Sequence, residues 1–181
     1  MKLEGTSQLQ APRERVYQSL ITPEILQRCI PGCERLEQTE EHTYAVTIRA
    51  GVGAIKGLFN GSVKLEDMRA PEHYRIVVEG KGAQGFLKGS GDLDLEPQDE
   101  STVIKYTGDI QVGGTIAGVG QRMIQATAKM MATQFFTALE AEAKTVEGEP
   151  PPKHGFFRTA LRWFSGWLRR IFKRSSSSEF K

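Results

Sequence analysis

Hydrophobic and polar positions alternate along most of the first 112 residues, and the period then lengthens to that of a helix. Residues 3–10 alternate loosely and predict a first strand. Ala11-Pro12 opens a helix, because proline's fixed φ suits the first helical position. Val16, Leu20 and Ile21 give that helix a narrow apolar stripe. Thr22-Pro23-Glu24 starts a second short helix, with Thr22 as N-cap and Pro23 as first residue, and Pro31-Gly32 stops it.

Strand patterns follow. Tyr44, Val46 and Ile48 alternate with polar residues, and so do Ile55, Gly57, Phe59, Gly61, Val63 and Leu65. Tyr74, Ile76 and Val78 continue the pattern, then Leu87, Gly89, Gly91, Leu93 and Leu95, then Ile104, Tyr106, Gly108, Ile110 and Val112. Period-2 alternation predicts an antiparallel sheet with one solvated face. Ala70-Pro71-Glu72 and Pro97-Gln98-Asp99-Glu100 read as hairpin turns. The apolar face carries several glycines, and glycine in a strand marks a bend or a close approach. Gly57, Gly61, Gly89, Gly91 and Gly108 on one face predict a strongly curved sheet with room over its concave side. Ordinary bulges are the plainer alternative.

Gly113-Gly114 ends the sheet, and residues 115–146 read as one long helix. Its inward face is predicted to hold Ile116, Val119, Met123, Thr127, Met130, Met131, Gln134, Phe135 and Ala138. Gln134 in an apolar face requires a polar partner, from the sheet or from a ligand. The element order is strand, two short helices, six strands, long helix. That order predicts an α+β fold, a curved antiparallel sheet of about seven strands around the long helix.

Charge divides the chain. Residues 1–152 hold 16 Lys and Arg against 21 Asp and Glu, whereas residues 153–174 hold seven cations and no carboxylate. Such a split predicts an acidic globular body, residues 1–146, with a basic arm for a membrane or a nucleic acid. Residues 147–155, with Pro150-Pro151-Pro152, read as a stiff linker. On a helical wheel Phe156, Phe157, Leu161, Trp163, Phe164, Trp167, Leu168, Ile171 and Phe172 share one half. Arg158, Arg162, Arg169 and Lys173 share the other, which predicts an amphipathic membrane-binding helix over residues 156–174. Seven basic residues near anionic lipids supply several kcal/mol, at about 1 kcal/mol each. Docking of this helix on its own body or on a partner is the alternative. Nucleic acid is disfavoured, because the aromatics sit on one apolar face rather than among the cations. Residues 175–181 read as a disordered end. The start of the chain lacks an apolar leader run, which predicts no secretory signal; with the tail on lipid, the expected location is the cytoplasmic face of the cell membrane.

Candidate chemistry is sparse. Cys29 and Cys33 are expected to be reduced thiols in a tight turn, and His42, His73 and His154 are too scattered to predict a metal site. Asp92 and Asp94 fall on the outward face of their strand. No nucleophile triad, phosphate loop or dinucleotide fingerprint is visible, so no catalytic residue is predicted.

Several short motifs together carry a resemblance. They are Cys29-Ile30-Pro31-Gly32-Cys33, Gly51-Val52-Gly53, Gly80-Lys81-Gly82, Gly85-Phe86, Val112-Gly113-Gly114 and Gln134-Phe135-Phe136. Residues 1 to about 146 thereby resemble the CoxG family of carbon monoxide dehydrogenase subunits, within the START/Bet v 1-like helix-grip superfamily. The resemblance implies a hydrophobic ligand site between sheet and long helix. It also implies a non-enzymatic accessory role that recruits a molybdenum-containing carbon monoxide dehydrogenase to the membrane and links it to respiratory quinone. Facing periodicity within that fold makes Phe59, Phe86, Tyr106, Met123, Thr127, Met130 and Gln134 the expected lining, with Tyr106 and Gln134 positioned to hydrogen-bond a quinone carbonyl. The expected partners are anionic lipids, the hydroxylase and a quinone or lipid ligand, with no covalently bound cofactor. Two alternatives stand beside this: a cyclase- or hydratase-type enzyme on an apolar substrate, and a purely structural recruiter with a filled core.

Overall fold

The computed structural model describes residues 1–145, which fall within the unit Met1–Val146. The predicted linker 147–155, amphipathic helix 156–174 and terminal segment 175–181 lie outside the described residues.

Seven strands form a single antiparallel sheet. They are β1 (Lys2–Leu9), β2 (Cys33–Glu40), β3 (Thr43–Val52), β4 (Ile55–Arg69), β5 (His73–Gly82), β6 (Gly85–Gln98) and β7 (Ser101–Gly113). Their spatial order is β1-β7-β6-β5-β4-β3-β2, a meander from β2 to β7 with β1 laid beside β7. Helices α1 (Arg13–Ile21) and α2 (Pro23–Cys29) connect β1 to β2, and α3 (Gln121–Thr145) follows β7. This is the α+β arrangement that the alternation predicts.

Two elements depart from expectation. Residues 115–146 are not one helix. A short 3₁₀ helix, Thr115–Val119, ends at Gly120, whose φ of +92° breaks the helical path, and α3 begins at Gln121. Strand β2 carries no alternation for the sequence to reveal, since Leu36 is its one buried residue. It is an edge strand, held by pairing to β3 rather than by a buried face of its own.

The core occupies one end of the unit. Leu9, Val16, Leu20, Ile104 and Leu139 are essentially inaccessible to solvent, and each such side chain contributes about 1.5–3 kcal/mol. Large residues fill the sheet there, among them Tyr44, Leu65, Tyr74, Leu93 and Leu95. The C-terminal half of α3 covers them through Phe136, Leu139 and Ala143. Arg28 of α2 clamps the same half, donating from Nε and Nη2 to both Glu142 carboxylate oxygens at 2.8 and 2.6 Å. Toward the other end the inward positions of the sheet turn to glycine, and the N-terminal half of α3 covers open space instead of core.

Candidate functional site

The open space lies between the sheet and α3 and is divided in two. A central chamber of about 290 Å³ is bounded by Ile76, Gly91, Tyr106, Ala132, Phe135 and Phe136, among others. A second chamber of about 260 Å³ lies toward the β3–β4 and β5–β6 turns, bounded by Ile48, Phe59, Gly61, Ile116, Ile124 and Ala128 among others. Val78 and Met131 line both, so these two side chains form the partition. Ligand sites of drug size occupy about 300–1,000 Å³. Each chamber alone falls short of that range, and together they enter it. Methionine has three rotatable bonds and a polarizable thioether, so a Met131 partition yields to a ligand more readily than a branched side chain would.

Missing side chains create the room. A Cβ at Gly61 would fall 1.8 Å from the Glu79 carbonyl oxygen, so only glycine lets β4 and β5 approach at this point of the curve. At the edge of the central chamber Gly5 lies under the Tyr106 ring, and a Cβ there would fall 2.3 Å from Tyr106 Oη. The same ring packs on Phe136 at a centroid separation of 5.4 Å. Tyr106 Oη makes no hydrogen bond among the described residues, which leaves it available to a ligand.

The expected lining residues separate into groups. Phe59, Phe86 and Thr127 line the second chamber, and Tyr106 lines the central one. Met123, Met130 and Gln134 line neither and are exposed, Met130 to 53%. The reason is a rotation of α3 by roughly a quarter-turn from the face predicted. Apolar character in the first turns suggested a methionine face. Phe136, Leu139 and Ala143 anchor the C-terminal half in the core and carry Ile124, Ala128, Met131 and Ala132 inward instead. With Gln134 in solvent, its predicted need for a buried partner disappears.

The remaining chemistry lies away from the chambers. Asp94 accepts from His73 Nδ1 at 2.7 Å, and Asp92 accepts from Arg75 at 3.2 Å, both on the outer face of the sheet. Cys29 and Cys33 are free thiols. Burial pushes the Cys29 thiol up to about 11 and the Cys33 thiol upward as well, so both resist forming the reactive thiolate. Among the described residues no cluster of metal-ligating side chains occurs, and no helix is long and apolar enough to cross a membrane.

A family model for the CoxG subunit of carbon monoxide dehydrogenase matches residues 5–144, nearly the whole described unit. The chain belongs to the CoxG family. Among solved structures this CoxG chain is similar to a conserved protein from Geobacillus kaustophilus, at 35% identity and a TM-score of 0.77 over 80% of this chain and 96% of that one. It is also similar to a START superfamily protein from Mycobacterium smegmatis, at 13% identity and a TM-score of 0.60, covering 80% of this chain and 98% of that one. A third is the Zhui aromatase/cyclase from Streptomyces sp. R1128, at 17% identity and a TM-score of 0.63, covering 83% of this chain and 99% of that one. The last two likenesses bear on the fold alone, and that fold is the START-like helix grip. No curated protein sequence matches the chain.

Proposed function

We propose that this CoxG chain is a membrane-anchored accessory protein of a carbon monoxide dehydrogenase system. It binds an apolar ligand such as a respiratory quinone and couples the molybdenum hydroxylase to the respiratory chain. The observation that carries the reading is the pair of adjoining apolar chambers between sheet and α3. Their lining suits retention of an apolar molecule, with Tyr106 Oη as a donor for a carbonyl. Glu79 is the lone carboxylate among the lining residues, and it accepts from Lys88 Nζ at 3.3 Å. That lining supports binding ahead of acid–base turnover. The family name supports the link to the dehydrogenase, and the basic aromatic tail supports residence at the cytoplasmic face of the membrane.

The test is direct. Full-length protein purified from cells is extracted with organic solvent, and the extract is read by mass spectrometry. A co-purifying quinone or lipid is expected, and an added short-chain ubiquinone is expected to quench tyrosine fluorescence saturably. Tyrosine is the useful reporter, because both tryptophans, Trp163 and Trp167, are in the tail. An empty extract together with absent quenching sinks the ligand reading, and conversion of the added molecule moves the protein to the enzymes.

A further inference from the structure

We propose that the end of the sheet carrying the β3–β4 and β5–β6 turns is a bilayer-docking face, which sets the mouth of the second chamber against anionic lipid. The proposal rests on the reading that the chambers exchange an apolar ligand with a membrane. It concerns the folded body and not the tail.

The antiparallel meander brings three connections to this end: the β3–β4 turn, the β5–β6 turn, and the stretch from Gly113 through the 3₁₀ helix into α3. They touch one another. A Cβ at Gly85 would fall 2.0 Å from the Gly113 carbonyl oxygen, and one at Gly53 would fall 2.8 Å from Met123 Sδ. Residues 50–58, 80–87 and 111–123 hold three cations, Lys56, Lys81 and Arg122, and no carboxylate. All three are exposed, and none has an ion pair among the described residues. The opposite end is the reverse. Its hairpin turns, residues 40–43, 66–72 and 98–101, hold seven carboxylates against the single cation Arg69. The body is thus polarised along its strands, although residues 1–145 carry 19 carboxylates against 16 Lys and Arg.

Of the four exposed large apolar side chains among the described residues, Leu58, Phe86 and Met123 lie at the cationic end, and Met130 lies two turns further along α3. Phe86 is 39% and Met123 47% exposed, and both are large side chains that solvent alone does not favour. Phe86 also lines the second chamber, so it stands where the chamber meets the surface. A hollow between the β5–β6 turn and Gly114-Thr115, with Lys81 on its rim, opens beside it. Cations around exposed apolar side chains match an anionic interface, where head groups take the charge and acyl chains take the aromatic ring. An acidic protein would satisfy the cations but not the open apolar mouth. An apolar ligand crosses between chamber and bilayer without entering water only if that mouth abuts the lipid.

The experiment places an environment-sensitive fluorophore, NBD, at Ala83→Cys in a full-length Cys33→Ser background. Cys29 is buried and escapes labelling. Glu100→Cys on the acidic end is the control, and Gln84→Cys is a second labelling site at the cationic end. Vesicles of phosphatidylcholine with roughly a third phosphatidylglycerol are expected to brighten the label at 83 several-fold and to leave the label at 100 unchanged. Lys56→Glu, Lys81→Glu and Arg122→Glu together are expected to cut the brightening at least about tenfold, since each cation near an anionic leaflet is worth roughly a fivefold factor. The triple variant still floats with the vesicles through the tail. Flotation without any change at 83 or 84 overturns the docking face and leaves the membrane reading intact. Equal brightening at both ends, or with phosphatidylcholine alone, also overturns it. A matching response to polyglutamate reassigns the face to an acidic protein and overturns the bilayer as occupant. Failure to float and to brighten removes both readings together.

Discussion

Two buried hydroxyls in the core test how polar groups are tolerated at single positions. Thr102 is fully buried, and its Oγ1 donates to the Ala11 carbonyl oxygen at 2.7 Å, tying β7 to the entry of α1. Tyr17 is also buried, but its hydroxyl has no partner among the described residues, and burial raises its ionisation above the usual phenol range. Removing one member of a buried hydrogen bond strands the other, at about 1–3 kcal/mol. Removing a hydroxyl that has no partner strands nothing. Thr102→Val is therefore expected to lose about 1–3 kcal/mol in urea unfolding, and Tyr17→Phe to lose nothing or to gain. A Tyr17→Phe loss as large as that of Thr102→Val would mean that the Tyr17 hydroxyl is satisfied. At the same scale Tyr106 was legible in the sequence because it alternates with its neighbours. Its ring position was not, because that depends on Gly5 in a strand about a hundred residues away in sequence.

Among the elements, α3 decides the site, and its C-terminal half is held from two sides. Leu139 and Ala143 are fully buried beneath it, and Arg28 of α2 grips Glu142 with two charge-assisted bonds. That pairing holds the Glu142 carboxyl below its usual range. A lowered folded value means that the stabilisation is present above the unfolded carboxylate value, about 4.3, and is lost as pH falls through the folded one. Arg28→Met is expected to cost about 0.5–1 kcal/mol at neutral pH, because both partners are partly exposed. The difference from the parent protein should stay constant from neutrality to about pH 5 and close in more acid solution. Denaturant melts across that range check it, and a gap that persists in strong acid would assign Arg28 a packing role instead. The rotation of α3 belongs to this scale too. Helical periodicity marked an apolar face but not its centre, because Met123, Met130 and Met131 all lie to one side of the true one and draw the predicted face toward them. Fixing the phase on Phe136, Leu139 and Ala143 would have turned Met130 and Gln134 outward from sequence alone.

Over the whole molecule, the sequence divides charge between an acidic body and a basic tail, and the proposed anchoring by that tail is open to test. Flotation with anionic vesicles should carry the full-length chain upward, and truncation after Pro150 should remove most of that binding. Seven tail cations at about 1 kcal/mol each make the loss a hundredfold or more. At low salt a small residue of binding is expected from Lys56, Lys81 and Arg122, and it should vanish as the screening length shrinks below about 10 Å. If full-length and truncated chains stay equally soluble, the tail is not an anchor.

By itself the sequence determined the strands that alternate, the two short helices at their prolines, the glycine face that opens the sheet, and the charge boundary before the tail. Each follows from local spacing, and local spacing is written in the chain. Three things were decided by tertiary structure alone. Strand β2 exists because β3 offers it an edge, with no period of its own to announce it. The phase of α3 follows from where the core grips its far half. The division into two chambers at Val78 and Met131 requires a strand and a helix about fifty residues apart to meet across the cavity. All three arise from contacts between distant segments, whose free energies depend on shape and distance rather than on sequence neighbours.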